Sequence, residues 1–115
     1  MTVHLLNAAV MPAGDGVYRS FVISPEEFAE RARVAHNAGH LMSYVGYKQT
    51  AELLTELCGF LVPENRKKAI LADGDVLLIT CLNYVLGERP GKDIDVTLDD
   101  MDFRVVYYEH AQTVI

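Results

Sequence analysis

At 115 residues the chain has room for one domain with one modest core. Half of its residues are hydrophobic and 23% are charged, a globular balance that excludes a disordered or low-complexity chain. Ten Lys and Arg against sixteen Asp and Glu give a net charge of −6, which repels long duplex nucleic acid yet admits a small anionic ligand at a local basic site. No apolar run approaches the ~20 residues of a membrane-spanning helix, and Met1 to Val10 lacks the basic flank and long apolar stretch of a signal peptide, so the chain reads as cytoplasmic.

Val3 to Val10 is an apolar run of strand length, broken by Asn7 and closed by a turn from Pro12 to Gly16. Val17 to Ile23, with Tyr18, Phe21 and Val22, predicts a second strand that pairs with the first as a hairpin. Ser24-Pro25-Glu26-Glu27 then starts a helix: Ser24 caps, Pro25 suits the first helical position, and Glu27 completes a capping box. That helix is expected to run to Asn37 and end at Gly39, burying Phe28, Ala32 and either Val34 or Ala35, with Glu30, Arg31 and Arg33 solvated. Leu41 to Val45 predicts a short third strand. After Gly46 the pattern changes to Ala51, Leu54, Leu57 and Cys58 at helical spacing, so a second helix begins between Tyr47 and Thr50 and stops at Gly59. A helix starting directly after a strand and a glycine points free N–H groups outward, which suits an anion.

Pro63 to Lys68 forms a loop carrying three consecutive basic residues, Arg66, Lys67 and Lys68, followed by an expected strand at Ala69 to Ala72. The turn Asp73-Gly74-Asp75 leads into Val76 to Tyr84, whose nearly continuous apolar run predicts a central strand buried on both faces. Leu86 to Val96 reads as a loop and Asp102 to Tyr108 as the last strand. The sum is an α+β chain with five to six strands in a mixed sheet and two main helices.

No nucleophile elbow, phosphate loop or dinucleotide fingerprint is present. Asp93, Asp95, Asp99, Asp100 and Asp102 lack calcium-loop spacing and read as a solvated acidic stretch. His36 and His40 are an i, i+4 pair at a helix end, so no metal is assigned. Cys58 and Cys81 each lie in an apolar run and read as buried thiols in a reducing compartment, with a disulfide or redox pair as the alternative. Three features remain: Asn7 at a strand end, the helix start at Tyr47 to Thr50, and the basic loop at Arg66. Brought together, they would offer amides, a hydroxyl and cations to a phosphodiester; kept apart, they are a turn, a cap and a solubilising loop.

Leu5-Leu6-Asn7-Ala8, Val45-Gly46-Tyr47-Lys48-Gln49-Thr50-Ala51, Leu57-Cys58-Gly59, Pro63-Glu64-Asn65-Arg66 and Gly74-Asp75 before a long apolar strand, taken in this order, resemble the viral ring-nuclease anti-CRISPR family of archaeal viruses, phages and mobile elements. The likeness spans Val3 to Tyr108. It implies a compact α+β fold and a twofold homodimer whose interface cleft binds cyclic tetra-adenylate, the second messenger of type III CRISPR defence. Family chemistry needs neither metal nor cofactor. A ribose 2′-hydroxyl attacks the adjacent phosphate, a histidine in the central motif protonates the departing 5′-oxygen, and linear oligoadenylates with cyclic phosphate ends result.

In this chain the histidine position is Tyr47. Imidazole titrates at about 6.5 and phenol at about 10, so a tyrosine there is a reluctant proton donor, and it can instead stack on adenine. The resemblance carries ligand binding onto Asn7, Gly46, Tyr47, Lys48, Thr50 and Arg66, with Arg66 holding phosphate. Asn83, Glu88 and Arg89 are the counterparts in the loop after the long strand, where the register is not fixed. Three functions follow as expectations. The first is a binder that sequesters the messenger to counter type III CRISPR or a related cyclic-nucleotide defence; the second is an active ring nuclease using Tyr47 or another residue. The third is a dimeric interaction protein that keeps only the fold.

Overall fold

The computed structural model describes residues 2–7, 16–67, 69–82 and 97–110. In chain order these form β1 (Val3–Leu6), β2 (Gly16–Ile23), α1 (Pro25–Asn37), β3 (Leu41–Tyr44), α2 (Lys48–Cys58), β4 (Val76–Leu82), a short 3-10 turn at Leu98–Asp100, and β5 (Met101–His110). The strands make one mixed sheet in the order β2-β5-β4-β1-β3. β3, β1 and β4 are mutually parallel, while β5 runs antiparallel to both β4 and β2. The architecture is thus α+β, as the sequence predicts.

Ser24 caps α1 as expected, its hydroxyl accepting from the Glu27 N–H at 3.1 Å. The Glu27 carboxylate lies 3.6 Å from Arg31 one turn along. Phe28, Ala29, Ala32 and Ala35 form the buried stripe, which settles the choice at the fourth position: Val34 is 62% exposed. That stripe and the Ala51, Leu54 and Cys58 stripe of α2 share one core cluster with Val3, Leu5, Leu78, Phe103 and Val105, so both helices cover the same sheet face. Phe28 meets Phe103 edge-on, with ring centres 5.0 Å apart. On the opposite face Leu77, Ile79, Val106 and Tyr108 pack with Leu6, Tyr18 and Leu71. β4 is therefore buried on both sides in the middle of the sheet, as its unalternating sequence predicts.

Two expectations are corrected. β1 and β2 do not form a hairpin: β2 pairs along its length with β5, from Gly16 opposite His110 to Ile23 opposite Phe103. The reason lies in burial, since Val3, His4 and Leu5 are all covered and suit an interior parallel position, whereas β2 is exposed along most of its length and suits an edge. Residues 69–72 are not a strand. Ile70 is 85% exposed, and the Ala72 N–H is taken by a carboxylate oxygen of Asp75 at 2.9 Å rather than by a neighbouring strand. The Pro12–Gly16 turn lies outside the described residues except for Gly16, and so does the whole 86–96 loop.

Cys58 is buried and Cys81 half-buried, and both are free thiols. Burial pushes the Cys58 thiol up to about 11, against a smaller lowering by Arg33, which keeps it protonated and unreactive. Gly59 ends α2 in the left-handed region at φ 79°, its N–H bonding the Thr55 carbonyl at 3.0 Å. An L side chain pays roughly 1–2 kcal/mol in that conformation. Gly59→Ala is therefore expected to lower the free energy of unfolding by that amount, read as a fall in the urea midpoint with an unchanged slope.

Candidate functional site

The parallel strands β1 and β3 end side by side, Leu6 opposite Tyr44, so the residues that follow each of them emerge at one edge of the sheet. After β1 comes Asn7; after β3 come Val45, Gly46 and Tyr47, and then α2. Open sheets with parallel strands commonly bind ligands at this carboxyl end. Here the two loops are joined directly, because the Asn7 side-chain oxygen accepts the Gly46 N–H at 3.1 Å.

A third segment closes the arrangement. Val45 bridges to Glu64 in parallel fashion, and Asn65 donates twice to the edge of β3: its N–H to the Val45 carbonyl at 2.8 Å, its amide to the Ser43 carbonyl at 3.0 Å. The Ser43 hydroxyl in turn donates to the Pro63 carbonyl at 2.7 Å. The Asn65 side-chain oxygen accepts the Lys67 N–H at 3.0 Å, a local turn that aims the intervening residue back at the sheet. That residue is Arg66, whose Nε donates to the Gly46 carbonyl at 3.0 Å. Gly46 is thus held at its N–H by Asn7 and at its carbonyl by Arg66. A Cβ at Gly46 would meet Arg66 at 3.6 Å and Asn7 at 3.8 Å, ordinary contact distances, so the glycine leaves the site open without being sterically required.

These residues surround a cavity of about 400 Å³. Asn7, Gly46, Tyr47 and Arg66 line it, joined by Tyr44, Asn65 and Lys67. Among the described residues that line it there is no carboxylate, while Arg66 and Lys67 supply positive charge, so these walls are locally cationic in a chain of net charge −6. Arg66 spends only Nε on Gly46, which leaves the terminal NH2 groups of its fork for an anion. Tyr47 is the N-cap of α2, with no side-chain cap hydrogen bond and 59% exposure. The first helical bond runs from Ala51 N–H to the Tyr47 carbonyl, so the N–H groups of Lys48, Gln49 and Thr50 precede the hydrogen-bond ladder.

Two of the expected residues stand apart from the recess. Lys48 is exposed on the first turn of α2, and Thr50 is buried on its core-facing stripe; neither lines the cavity. Asn83, Glu88 and Arg89, like Lys68, lie outside the described residues. His36 stacks on Phe60 with ring centres 4.0 Å apart, and the His40 carbonyl accepts the Val3 N–H at 2.8 Å at the link into β3.

Sequence reasoning missed a buried pair behind the site. His4 Nε2 lies 2.9 Å from Asp75 Oδ2, and both side chains are almost wholly covered. The Asp75 carboxylate also accepts the Thr2 N–H and the Ala72 N–H, each at 2.9 Å. Burial alone would push the Asp75 carboxyl up, but the bonds from Ala72, His4 and Thr2 outweigh it and hold the group below its usual range. An ionised carboxylate only accepts, so Nε2 carries the proton. Nδ1 is then left buried with no partner among the described residues. The only sequence signal was a histidine inside an apolar run and an aspartate after a glycine turn.

No helix among the described residues is long and apolar enough to cross a membrane. A family model described as STIV B116-like matches residues 3–109. The chain is 34% identical over 116 residues to "Uncharacterized protein 26" of Sulfolobus islandicus filamentous virus (isolate Iceland/Hveragerdi), covering 93% of this chain and 94% of that one. Its fold is similar to B116 of Sulfolobus turreted icosahedral virus, with a TM-score of 0.76 at 19% identity over 93% of this chain and 99% of that chain. With nearly its whole length matched, the chain belongs to the STIV B116-like family of archaeal virus proteins.

Proposed function

We propose that the protein binds a cyclic oligoadenylate, cyclic tetra-adenylate in the first instance, and sequesters it from type III CRISPR or a related cyclic-nucleotide defence. The observation that carries this reading is the convergence on one cationic recess of Asn7, Gly46, Tyr47 and Arg66, which are four of the positions of the ring-nuclease resemblance. At about 400 Å³ the recess is near the lower end of the roughly 300–1,000 Å³ that holds a drug-sized molecule. It suits one nucleotide unit better than a four-membered ring. A twofold pair of such recesses offers the same contacts to opposite halves of a symmetric ring, so the reading includes a homodimer with the ligand between its copies.

The test is to incubate the protein with cyclic oligonucleotides of different ring size and base, without added metal, and to separate ligand by chromatography after denaturation. Intact ring retained by the folded protein supports sequestration. Linear products with cyclic phosphate ends would make the protein a nuclease, and no retention of any ring ends the proposal. Arg66→Ala is expected to weaken binding by about 1.5–3 kcal/mol, the range for hydrogen bonds to charged groups. Because Arg66 is exposed, its folding stability should change little. Unchanged affinity by calorimetry would reduce the basic loop to a solubilising one.

A further inference from the structure

Tyr44 connects the recess to the buried His4–Asp75 pair. It ends β3, is half-buried, and lines the cavity beside Gly46 and Tyr47. Its ring centre lies 5.6 Å from that of His4, tilted by 33°. His4 sits two positions back along the neighbouring strand, opposite Met42, on the same sheet face as Tyr44. Asp75 fixes His4 in turn, and the Thr2 and Ala72 N–H groups fix the Asp75 carboxylate. The result is an aromatic ring whose backing is tied to the amino ends of β1 and β4. Tyr47, 59% exposed at a helix cap, has no such support.

We infer that Tyr44 is the stacking platform for a base of the ligand, and that His4 and Asp75 are positioning residues that hold it; this rests on the functional reading above. A base has a flat apolar face, and aromatic side chains take it with little regard to sequence. A ring already immobilised by its neighbours loses less conformational freedom on binding than a free one. The cations Arg66 and Lys67 then take phosphate, while Tyr44 takes the base, which divides one nucleotide unit between the two kinds of wall.

The wild type, Tyr44→Leu and Tyr44→Phe are titrated with cyclic tetra-adenylate, reading affinity by calorimetry and stacking by the hypochromic fall in adenine ultraviolet absorbance. Tyr44→Leu is expected to bind roughly 5- to 150-fold more weakly, the loss of one stacked base, and to lose the hypochromic change, while Tyr44→Phe keeps both. His4→Gln, whose amide still donates to Asp75, is expected to diminish the hypochromic change at saturating ligand; an undiminished change removes the positioning role. Binding by the wild type without hypochromism, or equal binding by Tyr44→Leu, overturns the platform alone. Failure of the wild type to bind the ring at all overturns the functional reading and this inference together.

Discussion

Replacing Asp75 by Ala is expected to lower the free energy of unfolding by about 3–5 kcal/mol, because three donors lose their acceptor at roughly 1–3 kcal/mol each, the two part-buried backbone N–H groups at the low end. The change strands His4 Nε2, the Thr2 N–H and the Ala72 N–H together, in a place where His4 is 3% exposed and Asp75 is 4% exposed. Against a domain stability of roughly 5–15 kcal/mol, that is a large fraction. Equilibrium urea unfolding measures it directly, and a loss below 1 kcal/mol would mean that the carboxylate is dispensable. Asp75→Asn is the milder change, since its amide keeps one acceptor oxygen but points hydrogens at a donor.

The same carboxylate sets a pH dependence with a definite sign. Its folded titration point is lowered relative to the unfolded chain, so folding favours the ionised form. The contribution is complete above the unfolded value of about 3.9 and is lost as pH falls through the lower folded value. Stability should therefore decline on acidification below about pH 4, and that part of the decline should be absent in Asp75→Asn.

The elements that local chemistry controls were legible in the sequence. Ser24 and Pro25 begin α1, Gly59 ends α2, and the unalternating run after Gly74 is the central strand, because caps, left-handed glycines and two-sided burial each leave a mark within a few residues. Strand partnership leaves no such mark. A hairpin between β1 and β2 follows from chain adjacency, but β1 is placed by the burial of both its faces between β3 and β4. The site divides along the same line. Asn7, Tyr47 and Arg66 are visible as residues at strand ends, a helix start and a basic loop, yet what joins Asn7 and Arg66 is hydrogen bonding to the backbone of Gly46, the residue before Tyr47, a contact that no side-chain pattern records. The His4–Asp75 pair spans 71 positions of sequence and is legible only once β1 and β4 are neighbours.

Replacing Tyr47 by His is expected to create or raise metal-independent ring opening by roughly 10²–10⁴-fold, the contribution of one positioned acid. In the reaction the 2′-hydroxyl gives up its proton to solvent as its oxygen bonds to phosphorus, and the 5′-oxygen departs with its electron pair and takes a proton, giving a cyclic phosphate and a free 5′-hydroxyl. A group at position 47 is well placed to supply that proton, because it lines the recess beside Arg66 and stands exposed at the N-cap of α2. Imidazole titrates at about 6.5, near the working pH, and the positive end of the helix disfavours its cationic form, which makes it the more willing donor. Tyr47→Phe separates the two readings of the wild type. If the protein only sequesters the ring, removing the phenol hydroxyl leaves affinity nearly unchanged. If the wild type cleaves through that hydroxyl, cleavage stops while binding persists. Rapid cleavage by both the wild type and Tyr47→Phe would exclude Tyr47 as the acid, and an inert Tyr47→His that still binds the ring would show that the recess lacks more than a proton donor.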